Sequence, residues 1–420
     1  MHASDQPSAQ SSGQKKRAFS FIVITLVLDA MGFGLVIPVM PDLIKGIQGG
    51  TLGDAAVWAG IMTTVFAVMQ FLFGPTIGSL SDRFGRRPVL LMSLFVMSLD
   101  YLVLALAQNL WLLLVIRMIG GITAATHSTA SAYVADISDP DDKAANFGIL
   151  GAAFGVGFVL GPVIGGLLAE FGVRAPFYAA AALAFANMVF GYFVLPETVT
   201  DRIRRPFEWR RANPVGAFRK IVELPQIRVL LALFFIYEFA LMVYSVTWAF
   251  FTQERLGWDS RMVGWSLGAY GISIAVVQAV LLRYVLRWLG NRLTIIWGIV
   301  FELTAMVFLV FVTQGWMVMA FIPIMGLGAV VHPALTGVMS RMTDDNQQGE
   351  LQGVLSSIRS VAHIFAPMVM GYIFWFYTRE TGLYLPGAPF AFAAILTLIG
   401  LVIFVGFTQR DRPRPTSNRR

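Results

Sequence analysis

Residues 78–91 read GSLSDRFGRRPVLL, one aspartate and three arginines set between two long apolar runs. That density of charge is foreign to the rest of the chain, which is 57% hydrophobic and 13% charged, with a mean hydropathy of +0.70. A soluble domain carries about a quarter charged residues, so the solvent of this chain is largely hydrocarbon. There every backbone N–H and C=O must be bonded inside its own segment, and runs of roughly 18 or more apolar residues read as spanning helices. Twelve are expected, at 20–41, 57–78, 88–108, 110–134, 146–169, 175–195, 227–251, 262–283, 292–313, 315–339, 352–376 and 388–408. The opening stretch then occupies the short connection between the second and the third, at one face of the membrane.

The distribution of charge sets the orientation. Numbered from a cytoplasmic N-terminus, 24 of the 31 Lys and Arg fall in the N-terminal tail, the even-to-odd loops or the C-terminal tail. Lys45, Arg174, Arg255, Arg261 and Arg379 fall on the other side, and Arg117 and Arg359 lie inside helices. This positive-inside bias puts both termini in the cytoplasm and accounts for the net charge of +7 without a nucleic-acid partner. The first apolar run is too long for a signal-peptide core and has no small-residue cleavage site, so it is expected to be retained as a helix. The absence of cysteine excludes disulfides and Cys-ligated metal. Four histidines without close spacing give no metal site. No nucleophile with its base and no ligand-spaced metal cluster suggests an enzyme, and no cofactor is expected.

The chain reads as two copies of one unit. An offset of 205 pairs Gly85 with Gly290, Arg87 with Arg292, Trp111 with Trp316, Gly121 with Gly326, Gly148 with Gly353, Pro162 with Pro367 and Gly166 with Gly371. Between the copies lies the most polar internal stretch, PETVTDRIRRPFEWRRANPVGAFRK (196–220). The expected organisation is a disordered cytoplasmic tail at 1–18, a six-helix bundle at 19–196, a linker at 197–226, a second bundle at 227–408 and a basic tail at 409–420. This is an all-α membrane protein of two pseudo-equivalent six-helix bundles. Parallel repeats of this kind carry a substrate site near the midplane and work by alternating access.

The loop at 78–91 resembles the signature loop of the major facilitator superfamily. RMIGG beginning at Arg117 and GVGFVLGPVIGG (155–166), similar to the antiporter motif, stand where that superfamily has them. LDAMGFGLVIPVMP (28–41), SLDYLVLA (98–105), ERLGWDSRMVGWSLGAYG (254–271) and QQGELQGVLSS (347–357) are similar to the tetracycline/proton antiporters. The resemblance covers essentially all twelve helices. It implies a bacterial cytoplasmic membrane, a small amphipathic drug and protons as partners, and a divalent cation only as part of a chelated substrate. A protein active as a monomer is expected. For the loop it implies closure of the cytoplasmic side by Gly78, Asp82, Arg83, Gly85, Arg86 and Arg87. Charge pairs there can hold two helices or two halves together, and Asp82 can gain from the positive N-terminal end of the eleventh helix. The arginines also anchor topology. The second copy, RYVLRWLGNRLTI (283–295), lacks the aspartate, so the gate is asymmetric.

Asp29, Asp100, Arg117, Glu238, Glu302 and Arg359 sit inside expected spans. A charge there costs about 2.5–3.5 kcal/mol on insertion scales unless paired or wetted, so intramembrane ionisable groups are functional candidates. Desolvation disfavours the charged form of a carboxyl, which suits a group that must load and release protons. Asp29, Asp100 and Glu302 fall where tetracycline exporters carry functional acids, and Arg117 matches that family's fourth-helix arginine, expected to compensate one of them. Glu238 joins the candidates without motif support, and Arg359 reads as an anchor. A structural ion pair is the alternative for each. The resemblance also marks a departure: where tetracycline exporters commonly have a histidine in the eighth helix, this chain has Ile274.

Gly157, Gly161 and Gly165 recur on one face of the fifth helix with Gly166 and Pro162 beside them, so another backbone can approach closely. The superfamily links this motif to exchange rather than symport. Tyr237, Tyr244 and Trp248 fall near one face of the seventh helix and suit a flat amphipathic ligand, with Gln70, His127, Asn187 and Gln278 as polar candidates. The leading expectation is a proton-driven exporter of tetracycline or its metal complex. The alternatives are a multidrug exporter or a sugar or metabolite transporter.

Overall fold

The structure, a computed structural model, describes residues 12–139, 141–199, 227–344, 347–380 and 382–410. Most of the expected linker and the outer parts of both tails lie outside the described residues.

The helices are α1 (Ser12–Val36), α2 (Met40–Gln48), α3 (Leu52–Phe84), α4 (Arg86–Leu106), α5 (Leu110–Thr123), α6 (Thr126–Ile137), α7 (Lys143–Leu168) and α8 (Ala175–Val194). After the linker come α9 (Arg228–Leu256), α10 (Ser260–Val276), α11 (Leu282–Phe311), α12 (Gly315–Gly326), α13 (Val331–Arg341), α14 (Gln348–Thr378) and α15 (Ala388–Arg410). Among the described residues there is no strand. α1 is already helical at Ser12, the first described residue and inside the expected tail; Gln14, Lys15, Lys16 and Arg17 are good helix formers that carry the apolar segment into the polar region. α2, which hydropathy alone does not separate from the first span, has Pro41 in its first turn and stops at Gly49 in the left-handed conformation.

Among the described residues, eleven continuous helical stretches are long and apolar enough to cross a membrane. One of them, Ser260–Phe311, has 52 residues. At about 1.5 Å per residue it would be about 78 Å long, more than twice the roughly 30 Å of hydrocarbon. Gly290, at φ 68° and ψ 172°, breaks it into two crossings and brings the number to twelve. Gly85, its partner at the offset of 205, also takes a positive φ, 115°. Both loops of the repeat therefore turn on a residue without a Cβ.

Two expected spans are interrupted. The fourth breaks between α5 and α6 at Ala124 and Ala125, and Gln70 Nε2 donates to the exposed Ala124 carbonyl at 3.3 Å. The tenth breaks between α12 and α13 in a 3-10 turn, Leu327–Val330, where Gln278 Nε2 reaches the Ala329 carbonyl at 3.5 Å. Ala124 and Ala329 are again 205 apart. A π turn at Val277–Leu281 follows α10 and turns Gln278 within the eighth span.

Packing divides the chain into two compact units. The first comprises residues up to Ile37 and Met69–Asn213; the second comprises Pro38–Val68 and Pro214–Arg420. In the first, α1 lies along α7 and α8, and α4 along α8, around a core of Phe21, Ile22, Leu26, Leu90, Leu94 and Tyr133. The α1–α7 contact is made by backbones. A Cβ added to Gly161 would stand 2.6 Å from the Met31 carbonyl oxygen, and one on Gly157 or Gly165 would strike the carbonyls of Val27 or Leu35. Gly34 answers from α1, where an added Cβ would stand 2.6 Å from Pro162 Cδ.

In the second unit α9 packs on α14 and α15 around Leu230, Phe234, Ile295, Ile299, Leu335 and Leu351. Chain order alone would leave Pro38–Val68 with the first bundle. Side chains tie this segment to the second: Asp42 accepts from Ser260 Oγ at 2.7 Å and from Gln253 Nε2 at 3.2 Å. Asp54 accepts from Trp375 Nε1 at 3.0 Å, and Thr64 Oγ1 donates to the Ile364 carbonyl at 2.8 Å.

Candidate functional site

The ionisable groups inside the spans of the first unit converge from three helices. Asp100 on α4 is ion-paired through Oδ2 with Arg117 Nη2 on α5, and both side chains are largely buried. Asp100 Oδ1 is buried without a hydrogen-bond partner. Next to Asp100, Tyr101 points the other way along the turn, toward α1. Its ring and hydroxyl come so close to Gly32 that a Cβ there would lie 3.3 Å from them. Tyr101 is within electrostatic reach of Asp29, Asp100 and Arg117. It is the member of the group that the sequence reading passed over, although it lies inside SLDYLVLA. The backbone contact of Gly157, Gly161 and Gly165 on α7 with α1 seats the helix that carries Asp29.

In the second unit Glu302 on α11 is 2% exposed. It rests against the 3-10 turn between α12 and α13, and a Cβ on Gly328 would collide with its carboxylate. Tyr237, Tyr244 and Tyr270 surround it electrostatically, and Tyr237 Oη donates to the Gly328 carbonyl at 3.4 Å. Glu302 Oε1 and Tyr244 Oη are buried with no geometric hydrogen-bond partner. A buried carboxyl beside a phenol, with no cation paired to it, suits a group that can hold a proton.

In the loop at 78–91, Asp82 pairs with Arg86 one turn on, and Arg86 Nε reaches Asp136 on α6 at 3.2 Å. The carboxylate of Glu197 accepts from the backbone N–H groups of Arg86 at 2.9 Å and Arg87 at 3.2 Å, capping the start of α4. It also accepts from the N–H groups of Thr198 and Val199, both at 2.9 Å. Arg87 Nη2 donates to the Tyr192 carbonyl at 2.6 Å, and Arg83 lies over Phe84, 5.1 Å from the ring centroid. The loop therefore ties α3, α4, α6 and the end of α8 together within the first unit.

The sequence model of the Major Facilitator Superfamily matches residues 22–259 and 230–420. The chain belongs to the Major Facilitator Superfamily. Its twelve-helix architecture and buried acids are those of a multi-pass membrane transporter of this superfamily. Among its relatives, a protein named Tetracycline resistance protein, class C, from Escherichia coli is 39% identical over 86% of this chain and 90% of its own length. Class B, also from Escherichia coli, is 37% identical over 84% and 87%. Multidrug resistance protein 2 from Bacillus subtilis is 28% identical over 97% of this chain and 100% of its own. The crystal structure of the nucleoside transporter NupG superposes with a TM-score of 0.77 at 11% identity, over 94% of this chain and 99% of that one, which shows the shared superfamily fold.

Several candidate ligand residues have protein partners in this superfamily member. Asn187 is 2% exposed and accepts from Thr25 Oγ1 at 3.2 Å, holding α8 to α1. Tyr237, Tyr244 and Trp248 are buried in the second unit; Tyr244 and Trp248 pack on Phe390, and Trp248 Nε1 donates to Ser266 Oγ at 2.9 Å. In this structure other side chains of the second unit cover that face. His127, exposed at the start of α6, meets Phe154 edge-on at 5.9 Å, and Gln70 and Gln278 serve the helix breaks already described. Arg359, expected as an anchor, instead pairs with Glu238. Among the described residues no group of His, Asp or Glu is placed to hold a metal ion.

Asp136 and Glu197 were not among the expected loop residues. Glu197 belongs to a stretch so polar that one more acid carries no signal, and only its position just after the sixth span could have suggested a cap. Its presence makes Gly85 doubly constrained, by a positive φ and by the carboxylate that an added Cβ would strike. Gly85→Ala should therefore cost about 1–3 kcal/mol, the scale of a strained backbone position. Gly78→Ala, whose Cβ would meet nothing within 4 Å, should leave stability unchanged. Equal melting temperatures for the two variants in detergent would contradict this account.

Proposed function

We propose that the chain is a proton-coupled antiporter of the bacterial cytoplasmic membrane that exports tetracycline, or its complex with a divalent cation, by alternating access. The likeness to tetracycline resistance proteins over most of the chain carries this reading. Both termini are cytoplasmic in it, as the excess of Lys and Arg in alternate loops requires, and the monomer is the working unit. Asp29, Asp100 and Glu302 take and release protons, while Arg117 holds Asp100 ionised in one state and is released from it in another. Asp82 and the arginines of the loop then act at the cytoplasmic face, where making and breaking charge pairs costs little because water solvates the separated partners.

A second reading, export of a broader set of amphipathic compounds, draws on the likeness to Multidrug resistance protein 2 and on Ile274 in the eighth span. Susceptibility of an efflux-deficient host expressing the chain separates the two. Tetracycline resistance alone is the expected result, and a matching rise for minocycline, a fluoroquinolone and a dye would favour the broader exporter. No shift for any of them would remove both readings in favour of a metabolite transporter.

A further inference from the structure

Apart from the acids assigned above, a second set of ionisable groups meets inside the second unit, on three helices. Glu238 on α9 divides its carboxylate between two partners. Oε1 lies 3.2 Å from His332 Nε2 on α13, and Oε2 accepts from Arg359 Nε on α14 at 3.3 Å. Arg359 Nη2 stands 2.6 Å from the same Nε2 of His332. Phe234, one turn before Glu238, packs against both partners, 5.6 Å from the imidazole ring and 5.9 Å from the guanidinium carbon. The other ionisable neighbours are His363, one turn along α14, and Tyr237, which also senses Glu302 on α11.

One nitrogen thus faces a donor on one side and an acceptor on the other. Neutral His332 with its lone pair on Nε2 accepts from Arg359 and cannot bond to Glu238. With a proton on Nε2 it donates to Glu238 and repels Arg359. Binding of a single proton therefore exchanges an α13–α14 hydrogen bond for an α13–α9 one. The His332 side chain is 38% exposed and that of Arg359 42%, whereas Glu238 is 9% exposed behind them. The carboxylate is placed to hold a proton on the imidazole.

We propose that Glu238, His332 and Arg359 form a second proton-binding site, with His332 Nε2 as the atom that takes the proton. The role given to it in transport rests on the antiport reading above; the site itself does not. The test is nitrogen NMR of the full-length protein in nanodiscs with labelled histidine, the His332 signal being assigned by its loss in His332→Gln. The expected result is a change of ring form within the pH window the protein tolerates. In Glu238→Gln the acceptor of the ring proton is gone, and the titration should leave that window. In inverted vesicles, His332→Gln should flatten the pH profile of tetracycline-driven proton movement while exchange at alkaline pH persists.

A His332 signal that keeps one form across the window, or titrates identically in Glu238→Gln, overturns the site. Tetracycline-driven proton movement by unaltered vesicles would then leave the export reading untouched. Conversely, a titrating His332 in a protein that moves no protons with the drug upholds the site and removes the export reading.

Discussion

Inverted vesicles carrying Asp100→Asn should move no protons when tetracycline is added, with the signal at the level of vesicles lacking the protein. Asparagine keeps the volume and one acceptor for Arg117, so the packing of α4 on α5 survives, but the position no longer takes or gives a proton. It also leaves the guanidinium without its counter-charge. Breaking one side of a buried pair costs about 3–5 kcal/mol, so a lower yield of folded protein is expected as well. The double variant Asp100→Asn/Arg117→Gln separates the two effects. It removes both charges and should recover the melting temperature without recovering proton movement. If exchange returned with the melting temperature, the pair would be a structural ion pair and nothing more. Asp29→Asn has no such partner to leave behind, and is expected to lose exchange with little change in stability.

The second large effect concerns the glycine ridge of α7. Gly165→Val should yield no folded protein, and Gly165→Ala should cost about 3 kcal/mol or more, at the upper end of what overpacking a well-filled interior costs. The obstacle is the Leu35 backbone, which has no rotamer to change. Gly155→Ala, on the same helix with nothing within 4 Å of the added carbon, is the control and should be silent. Thermal unfolding in detergent with matched expression reads all three. Comparable loss in Gly155→Ala would mean that the contact with α1 does not set the cost, since alanine favours a helix over glycine.

Much of this architecture was legible in the residues because a bilayer makes local statements strong. Asp29, Asp100 and Glu302 stand out since a lone acid in an apolar run has few structural uses, and Gly85 and Gly290 since the repeat offset pairs two glycines at turns. Other features were hidden for physical reasons. The break at Ala124 and Ala125 has no proline to announce it, and the π turn at Val277–Leu281 leaves hydropathy unchanged. Tyr237, Tyr244 and Trp248 show that helical periodicity marks a shared face without telling whether that face meets a ligand or Phe390. Glu238, His332 and Arg359 are separated by 94 and 27 residues, and only the fold brings them together.

The ridge of α7 also constrains the history open to this protein. Where a bulky side chain is the neighbour, a harmful substitution can be rescued by trimming that neighbour. Along Gly157, Gly161 and Gly165 the neighbours are carbonyl groups that every amino acid carries, so no second-site change in α1 can make room. Drift toward new cargo must therefore run through the other helices, while this seam is inherited unaltered.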